Sequence, residues 1–278
     1  MAPGDAVESA AHALGLRIVR RFDGSMFGAA LVEGRGDEAL ILKASTNLSL
    51  AEEWATGAAM AARLRDQGYP ASDYVETGTT AGVTWSLQAV LPGEVSSMFT
   101  VGQAEQLIAL ARRHDIDSGR RQPWDALARE ISRRTLAELG PLPDQFDETL
   151  RRTLDDTEDI DLSQTSIVHC DFHHRNFLVE GERVSGVFDW DIACPGDWRF
   201  DLVALAFACQ MYPKTCEPEA ITTTIAAVWD HCDAPTAAFF MACQTLRALS
   251  QVRRGWPDRF EPVSKRMQAT LAPWWTSA

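Results

Sequence analysis

Several kinds of signal are missing from this chain, and each absence removes a class of function. Its six cysteines (Cys170, Cys194, Cys209, Cys216, Cys232, Cys243) include no C-x-x-C pair. Neither a zinc knuckle nor a small disulfide scaffold fits that spacing, so reduced, mostly buried thiols are expected. Residues 1–20 show no cationic start followed by an apolar run, so no signal peptide is expected and a cytoplasmic location is. No run of about 18 apolar residues occurs, so no membrane partner is expected. Basic residues are outnumbered, with 26 Lys and Arg against 39 Asp and Glu and a net charge of −13. That balance argues against a nucleic-acid partner, which needs a basic face. It weakly favours a cationic small substrate through the long-range field. Internal repeats and low-complexity segments are absent as well.

What is present is a chain of 278 residues with 46% hydrophobic content, enough for two lobes with a sizeable core. The first part reads as β-rich. A short helix over 5–14 precedes strands at 16–22, 29–32 and 39–43, joined by turns at 23–28 and 34–37. A helix from about 50 to 67, stopped by Gly68, and a strand pair at 74–77 and 84–90 complete it. Leu91-Pro92-Gly93 breaks the pattern, and a boundary is placed there: 1–92 as one lobe and 93–278 as the other. Past residue 100 helical spacing dominates, at 104–113, 124–139, 146–157, 200–211, 217–232, 235–252 and 260–272. Short strands are expected at 166–168, 176–179 and 184–188. The fold class is α+β: a small antiparallel lobe with a helix, followed by a larger, mostly helical lobe.

The chemistry concentrates in His169-Cys170-Asp171-Phe172-His173-His174-Arg175-Asn176, of the form H-x-D-x-x-x-x-N, and in Val187-Phe188-Asp189-Trp190 thirteen residues on. Phosphoryl transfer from a nucleoside triphosphate needs one carboxylate to orient the accepting hydroxyl, and an amide and a second carboxylate to hold Mg²⁺. Asp171 is the expected base; Asn176 and Asp189 are the expected metal ligands, hard oxygen donors suited to Mg²⁺. Lys43, at the end of the third strand, is a candidate for the α- and β-phosphates, with Glu53 favoured over Glu52 as its ion-pair partner. The turn 23–28, Ser25 included, could offer backbone N–H groups to phosphate oxygens. His169 is expected to brace the loop, and His173 and His174 to shape it rather than to bind zinc. Asp201 sits where a helix begins, as an N-cap, as a buried acceptor for the loop backbone, or as both. A second His-Cys-Asp, at 231–233, has Ala238 where the asparagine would be, and reads as a chance helix end.

Together these residues resemble the aminoglycoside phosphotransferase and choline kinase-like family of small-molecule kinases. That family's segments run close to H-G-D-L-H-P-G-N and I-D-W-x-x-x-x-x-G-D-x-x-x-D-L-A. This chain matches them with Phe188-Asp189-Trp190, Gly196-Asp197 and Asp201-Leu202. It departs at Cys170, where the family has glycine, and at Arg175. Trp190 after the metal acid, and the lack of an A-P-E-like segment, point away from protein kinases. The resemblance implies a bilobal protein-kinase-like fold and ATP or GTP with Mg²⁺ as cofactors. It makes Leu91-Pro92-Gly93 a hinge, with Gln88 at the gatekeeper place and the Ala89 carbonyl and Leu91 N–H against the purine. It also implies a small-molecule hydroxyl acceptor, an antibiotic by preference, in a monomer or homodimer. Asp191, Glu217, Trp256, Asp258, Trp274 and Trp275 are candidate acceptor liners. A metabolic kinase of choline, homoserine or sugar type, and a silent nucleotide binder, are the alternatives.

Overall fold

The computed structural model describes residues 3–22, 27–34 and 38–276. It divides into two compact units: residues 1–96 with 176–194, and residues 97–175 with 195–278. The segment that carries Asn176 and Asp189 therefore belongs with the N-terminal part, although contiguity along the chain had assigned it to the second lobe.

In the first unit, helix α1 (Pro3–Leu14) is followed by β1 (Arg17–Phe22), β2 (Gly28–Glu33), β3 (Ala39–Ser45), α2 (Leu50–Arg65), β4 (Tyr74–Thr80) and β5 (Val83–Ala89). The strands form one antiparallel sheet in the order β1-β2-β3-β5-β4. Alternation assigns its faces. Leu40, Leu42 and Ala44 of β3 and Val83, Trp85 and Leu87 of β5 pack with Ala6, Val7, Ala10 and Ala11 of α1. Lys43, opposite Ser86 in the register, and Gln88, opposite Ile41, consequently share the other face. That face is polar yet covered, since Ser86 and Gln88 are buried.

The discontinuous part of this unit, residues 176–194, carries a two-stranded hairpin. In chain order β6 (Ser166–Val168) lies in the second unit, and β7 (Phe177–Glu180) and β8 (Arg183–Val187) form the hairpin of the first. Leu91-Pro92-Gly93 crosses that hairpin. Glu94 and Val179 exchange both backbone hydrogen bonds, and the Ser185 hydroxyl donates to the Pro92 carbonyl at 2.7 Å. Gly93 has φ +100, and a Cβ there would lie 2.6 Å from the Val179 carbonyl oxygen, so glycine is required twice over.

The second unit is helical: α3 (Val101–Arg112), α4 (Trp124–Leu139), α5 (Asp144–Asp156), α6 (Arg199–Met211), α7 (Pro218–His231), α8 (Ala234–Gly255) and α9 (Phe260–Thr276). A short β9 (Cys194–Gly196), not foreseen from the pattern, precedes α6. Its core gathers aromatic rings edge to face, with Trp124 against Phe200 and Phe240. Trp274 stacks on Trp229 at 4.9 Å. No described helix is long and apolar enough to cross a membrane.

Candidate active site

In the first unit Lys43 reaches two carboxylates. Its Nζ donates to Asp189 Oδ1 at 2.7 Å and to Asp191 Oδ2 at 2.8 Å. Asp191 is only 2% exposed and also accepts from the Tyr74 hydroxyl at 2.7 Å, while Asp189 stays 38% exposed. Burial alone would lower the Lys43 pKa; Asp191 and Asp189 outweigh it and hold the ammonium above the ordinary lysine range. The same carboxylates add to burial in raising Tyr74, which stays a neutral donor.

Local structure explains how Asp189 and Asp191 come to one side. Between them Trp190 is fully buried, its indole N–H donating to the Val187 carbonyl at 2.9 Å and its ring edge-on to Tyr69. Asp189 itself has φ +70, a conformation costly for a non-glycine residue and common at functional sites. Helix α2 passes so close that a Cβ on Gly57 would fall 2.0 Å from the Trp190 carbonyl oxygen. Asn176 is tied to the same turn, its carbonyl accepting from Phe188 N–H at 3.0 Å. The two hard-oxygen donors thus stand at one end of the β7–β8 hairpin, a donor set that fits Mg²⁺.

Glu53 is not the lysine's partner. Glu52 and Glu53 are both exposed in the first turn of α2, where acids complement the helix dipole, and neither makes an ion pair among the described residues. Their place goes to Asp191, expected as an acceptor liner. Its signal was the D-W-D pattern: two acids around one buried tryptophan face the same way. Gln88 is buried, with its amide donating to the Ser86 hydroxyl at 3.2 Å. The Ala89 N–H donates to the Asp73 carbonyl, and the Leu91 N–H has no partner among the described residues. Ser25 lies outside the described residues.

In the second unit β6 delivers the chain into the loop at His169. Asp201, fully buried in the first turn of α6, organises it. Its carboxylate accepts from His169 N–H at 2.8 Å and Cys170 N–H at 3.0 Å, and meets His114 Nδ1 at 2.9 Å. Cys170 has φ +67, a conformation that glycine adopts without strain and a side chain makes costly. His169 accepts from the Asp171 N–H at 3.3 Å, bracing the loop as its place suggested.

Asp171 is held from outside. Arg247 of α8 donates to its Oδ1 at 2.9 Å and to the Cys170 carbonyl, and His173 Nε2 lies 3.5 Å from Oδ2. Burial pushes the Asp171 pKa up, but the His173 hydrogen bond and the charges of Arg247 and His173 outweigh it. The carboxyl is held well below its usual range and is ionised at neutral pH. Arg247 was not foreseen; a lone arginine 76 residues downstream has no local pattern to mark it. His174 is buried, and its pKa is lowered to about 4 by burial and by the charges of His173 and Arg175. It lies within 4.8 Å of the Cys209 and Cys216 sulfurs in ligand-atom separation, a grouping that C-x-x-C spacing does not reveal.

Asp171 opens onto a cavity of about 170 Å³ within the second unit, walled by α6, α8 and the 171–175 loop. None of the expected acceptor liners contributes to it. Glu217 accepts from the Val101 N–H, Trp274 is in the core, Trp256 is exposed, and Asp258 borders a separate cavity beside Pro143.

The sequence profile described as the Phosphotransferase enzyme family matches residues 29–223. No curated protein matches the chain. Among solved structures, a thermostable mutant of aminoglycoside phosphotransferase APH(4)-Ia in ternary complex with ADP and hygromycin B is similar. It has a TM-score of 0.69 and 14% identity, over 96% of this chain and 98% of that one. Aminoglycoside-3'-phosphotransferase of type VIII gives 0.64 and 23%, over 88% and 100%. Macrolide 2'-phosphotransferase MphH from Brachybacterium faecium gives 0.58 and 18%, over 95% and 97%. These likenesses establish the kinase-like α+β fold, and with the profile spanning most of the sequence this chain belongs to the phosphotransferase enzyme family.

Proposed function

We propose that this phosphotransferase moves the γ-phosphoryl group of ATP or GTP to a hydroxyl of a small molecule, with antibiotics as the leading acceptor class. The observation that carries the reading is the ion pair of Lys43 with Asp189 and Asp191, which joins a strand lysine to the second acidic motif. A lysine held charged by two aspartates is a fixed cation for phosphate oxygens. Leu91 N–H, without a partner among the described residues, is a hydrogen-bond donor for a base at the segment the family resemblance makes a hinge.

Asn176 and Asp189 would hold Mg²⁺, which when bound neutralises charge on the phosphates. Asp171 accepts the hydrogen bond of the attacking hydroxyl and takes its proton as the new O–P bond forms, while the bond from the γ-phosphorus to the β–γ bridging oxygen breaks and the nucleoside diphosphate leaves with that electron pair. In a loose transition state that proton leaves late, so fixing the carboxylate matters more than its basicity. Asp201 and Arg247 do that fixing. Antibiotic acceptors are supported by the names of the similar solved structures, two aminoglycoside kinases and one macrolide kinase.

The test is a nucleotide-consumption screen. Purified protein, Mg²⁺ and ATP or GTP are incubated with antibiotics and hydroxylated metabolites, and products are weighed for one added phosphoryl group. Modification of an antibiotic is the expected outcome. Modification of metabolites alone would move the acceptor class. Bound nucleotide with no transfer to any compound would overturn catalysis.

A further inference from the structure

Lys43 meets two carboxylates, and the two are embedded differently. Asp191 is sealed inside the first unit. Its Oδ2 accepts from Lys43 at 2.8 Å and its Oδ1 from the Tyr74 hydroxyl at 2.7 Å, so each oxygen has a protein donor. Asp189 gives Lys43 one oxygen at 2.7 Å and stays partly exposed. Of the pair, Asp189 alone is open to a metal ion arriving from solvent.

Helix α2 brings no acid to Lys43 among the described residues. In protein kinases the strand lysine pairs with a glutamate of the helix that follows it. Here Glu52 and Glu53 are exposed, and α2 meets the 189–191 turn through Gly57. A Cβ at that position would fall 2.0 Å from the Trp190 carbonyl oxygen, so no acid fits there. The turn itself supplies both acids. Trp190, buried between them in the sequence with its indole N–H on the Val187 carbonyl at 2.9 Å, fixes their separation.

Resting on the kinase reading above, we infer that Asp191 and Tyr74 are the positioning residues of the phosphate-binding lysine, in the role of the helix glutamate, and that they release Asp189 for the metal. Tyr74 gives Asp191 a neutral hydrogen bond, which fixes the carboxylate without cancelling its charge. That charge is therefore available in full to Lys43. With Asp191 as its resident partner, Lys43 stays in place when Asp189 turns to a metal ion. Without Asp191, the ammonium rests on Asp189 alone and competes with the metal for one carboxylate. Lysine and metal ligand are thus aligned by the folding of one short turn, and no movement of α2 is needed to complete them.

The experiment titrates Mg²⁺ into the intact protein with the non-hydrolysable analogue AMP-PNP, or GMP-PNP, and follows nucleotide binding by calorimetry. Asp191→Asn should raise the Mg²⁺ concentration for half-maximal binding by about tenfold, and Tyr74→Phe, which keeps every charge, by about threefold. Glu53→Gln should leave it unchanged. In a Lys43→Met background, Asp191→Asn should add almost nothing, because its effect runs through the lysine. Melting temperatures establish that each variant is folded, and Tyr74→Phe carries the test if Asp191→Asn is not. The inference is overturned by a Mg²⁺ midpoint that stays fixed in both variants, by an equal shift in the Lys43→Met background, or by a Glu53→Gln shift as large as that of Asp191→Asn. In each of those cases Mg²⁺-dependent nucleotide binding persists and the kinase reading stands. Wild-type protein that binds neither analogue removes both.

Discussion

At 169–171 and at 231–233 the chain spells the same tripeptide, His-Cys-Asp, and folds it in two different ways. In the first, the histidine is buried, the cysteine sits at φ +67, and the aspartate is gripped by Arg247. In the second, His231 closes α7 with its ring against the Ala227 carbonyl, Cys232 is extended at φ −117, and Asp233 caps α8 by accepting from Thr236 N–H at 2.9 Å. The residues are identical; their partners are not. What separates a candidate base from a helix cap is Asp201 below the loop and Arg247 beside it.

The largest effect should come from deleting each aspartate in turn. Asp171→Ala removes the proposed receiver of the acceptor proton, and on that proposal kcat should fall by about 10³-fold with nucleotide affinity kept. Asp233→Ala loses one cap hydrogen bond, about 1 kcal/mol of stability, with kcat retained. Turnover assays beside thermal melts read both. Equal turnover in the two variants would erase the distinction between the copies.

Next comes the support. Asp201→Ala strands His169 N–H, Cys170 N–H and His114 in a fully buried setting, and should cost about 3–5 kcal/mol. Among the described residues no buried acid accepts from the backbone of the second copy: its Asp233 is met by one backbone N–H of the following helix. Urea denaturation of Asp201→Ala against Asp233→Ala measures the gap. A loss near 1 kcal/mol in both would mean that the loop backbone needs no buried anchor.

How far the sequence could be read follows from the same contrast. Asp171, Asn176, Asp189 and Lys43 could be nominated as site residues because motif spacing and a strand end are local signals, and the order of strands and helices followed from periodicity. Asp191 and Arg247 were not, because the pairings Lys43–Asp191 and Arg247–Asp171 bridge 148 and 76 residues. Glu52 and Glu53 drew attention as acids on the helix that follows Lys43, yet both are exposed to solvent. The assignment of 176–194 to the first unit was hidden for the same reason: a hairpin far along the chain pairs Val179 with Glu94.

A pH profile sharpens the role of Arg247. In the proposed mechanism, transfer needs Asp171 ionised. Burial raises its pKa, and His173 and Arg247 bring it below the usual carboxylate range. Arg247→Ala removes one of the opposing groups, so the pKa rises and the acid limb of kcat/KM moves to higher pH. Arg199, which pairs with Asp197 at 2.6 Å near the second copy, is the control; Arg199→Ala should leave that limb where it is. An acid limb that stays fixed in Arg247→Ala would show that Arg247 does not act on the Asp171 charge.

The smallest effect has the most pointed sign. Cys170 occupies the left-handed region, where a side chain costs about 1–2 kcal/mol and glycine none. Against that, glycine adds backbone entropy to the unfolded chain, worth about 0.4–1 kcal/mol. The two nearly cancel, leaving Cys170→Gly neutral or stabilised by up to about 1 kcal/mol. At Cys232 the backbone is extended and the side chain buried, so Cys232→Gly loses packing and entropy together with nothing relieved. Its melting temperature should fall where that of Cys170→Gly holds or rises. If both fall alike, the left-handed turn at Cys170 carries no strain, and the departure from the family's glycine is a free choice of side chain instead of a cost borne at the active loop.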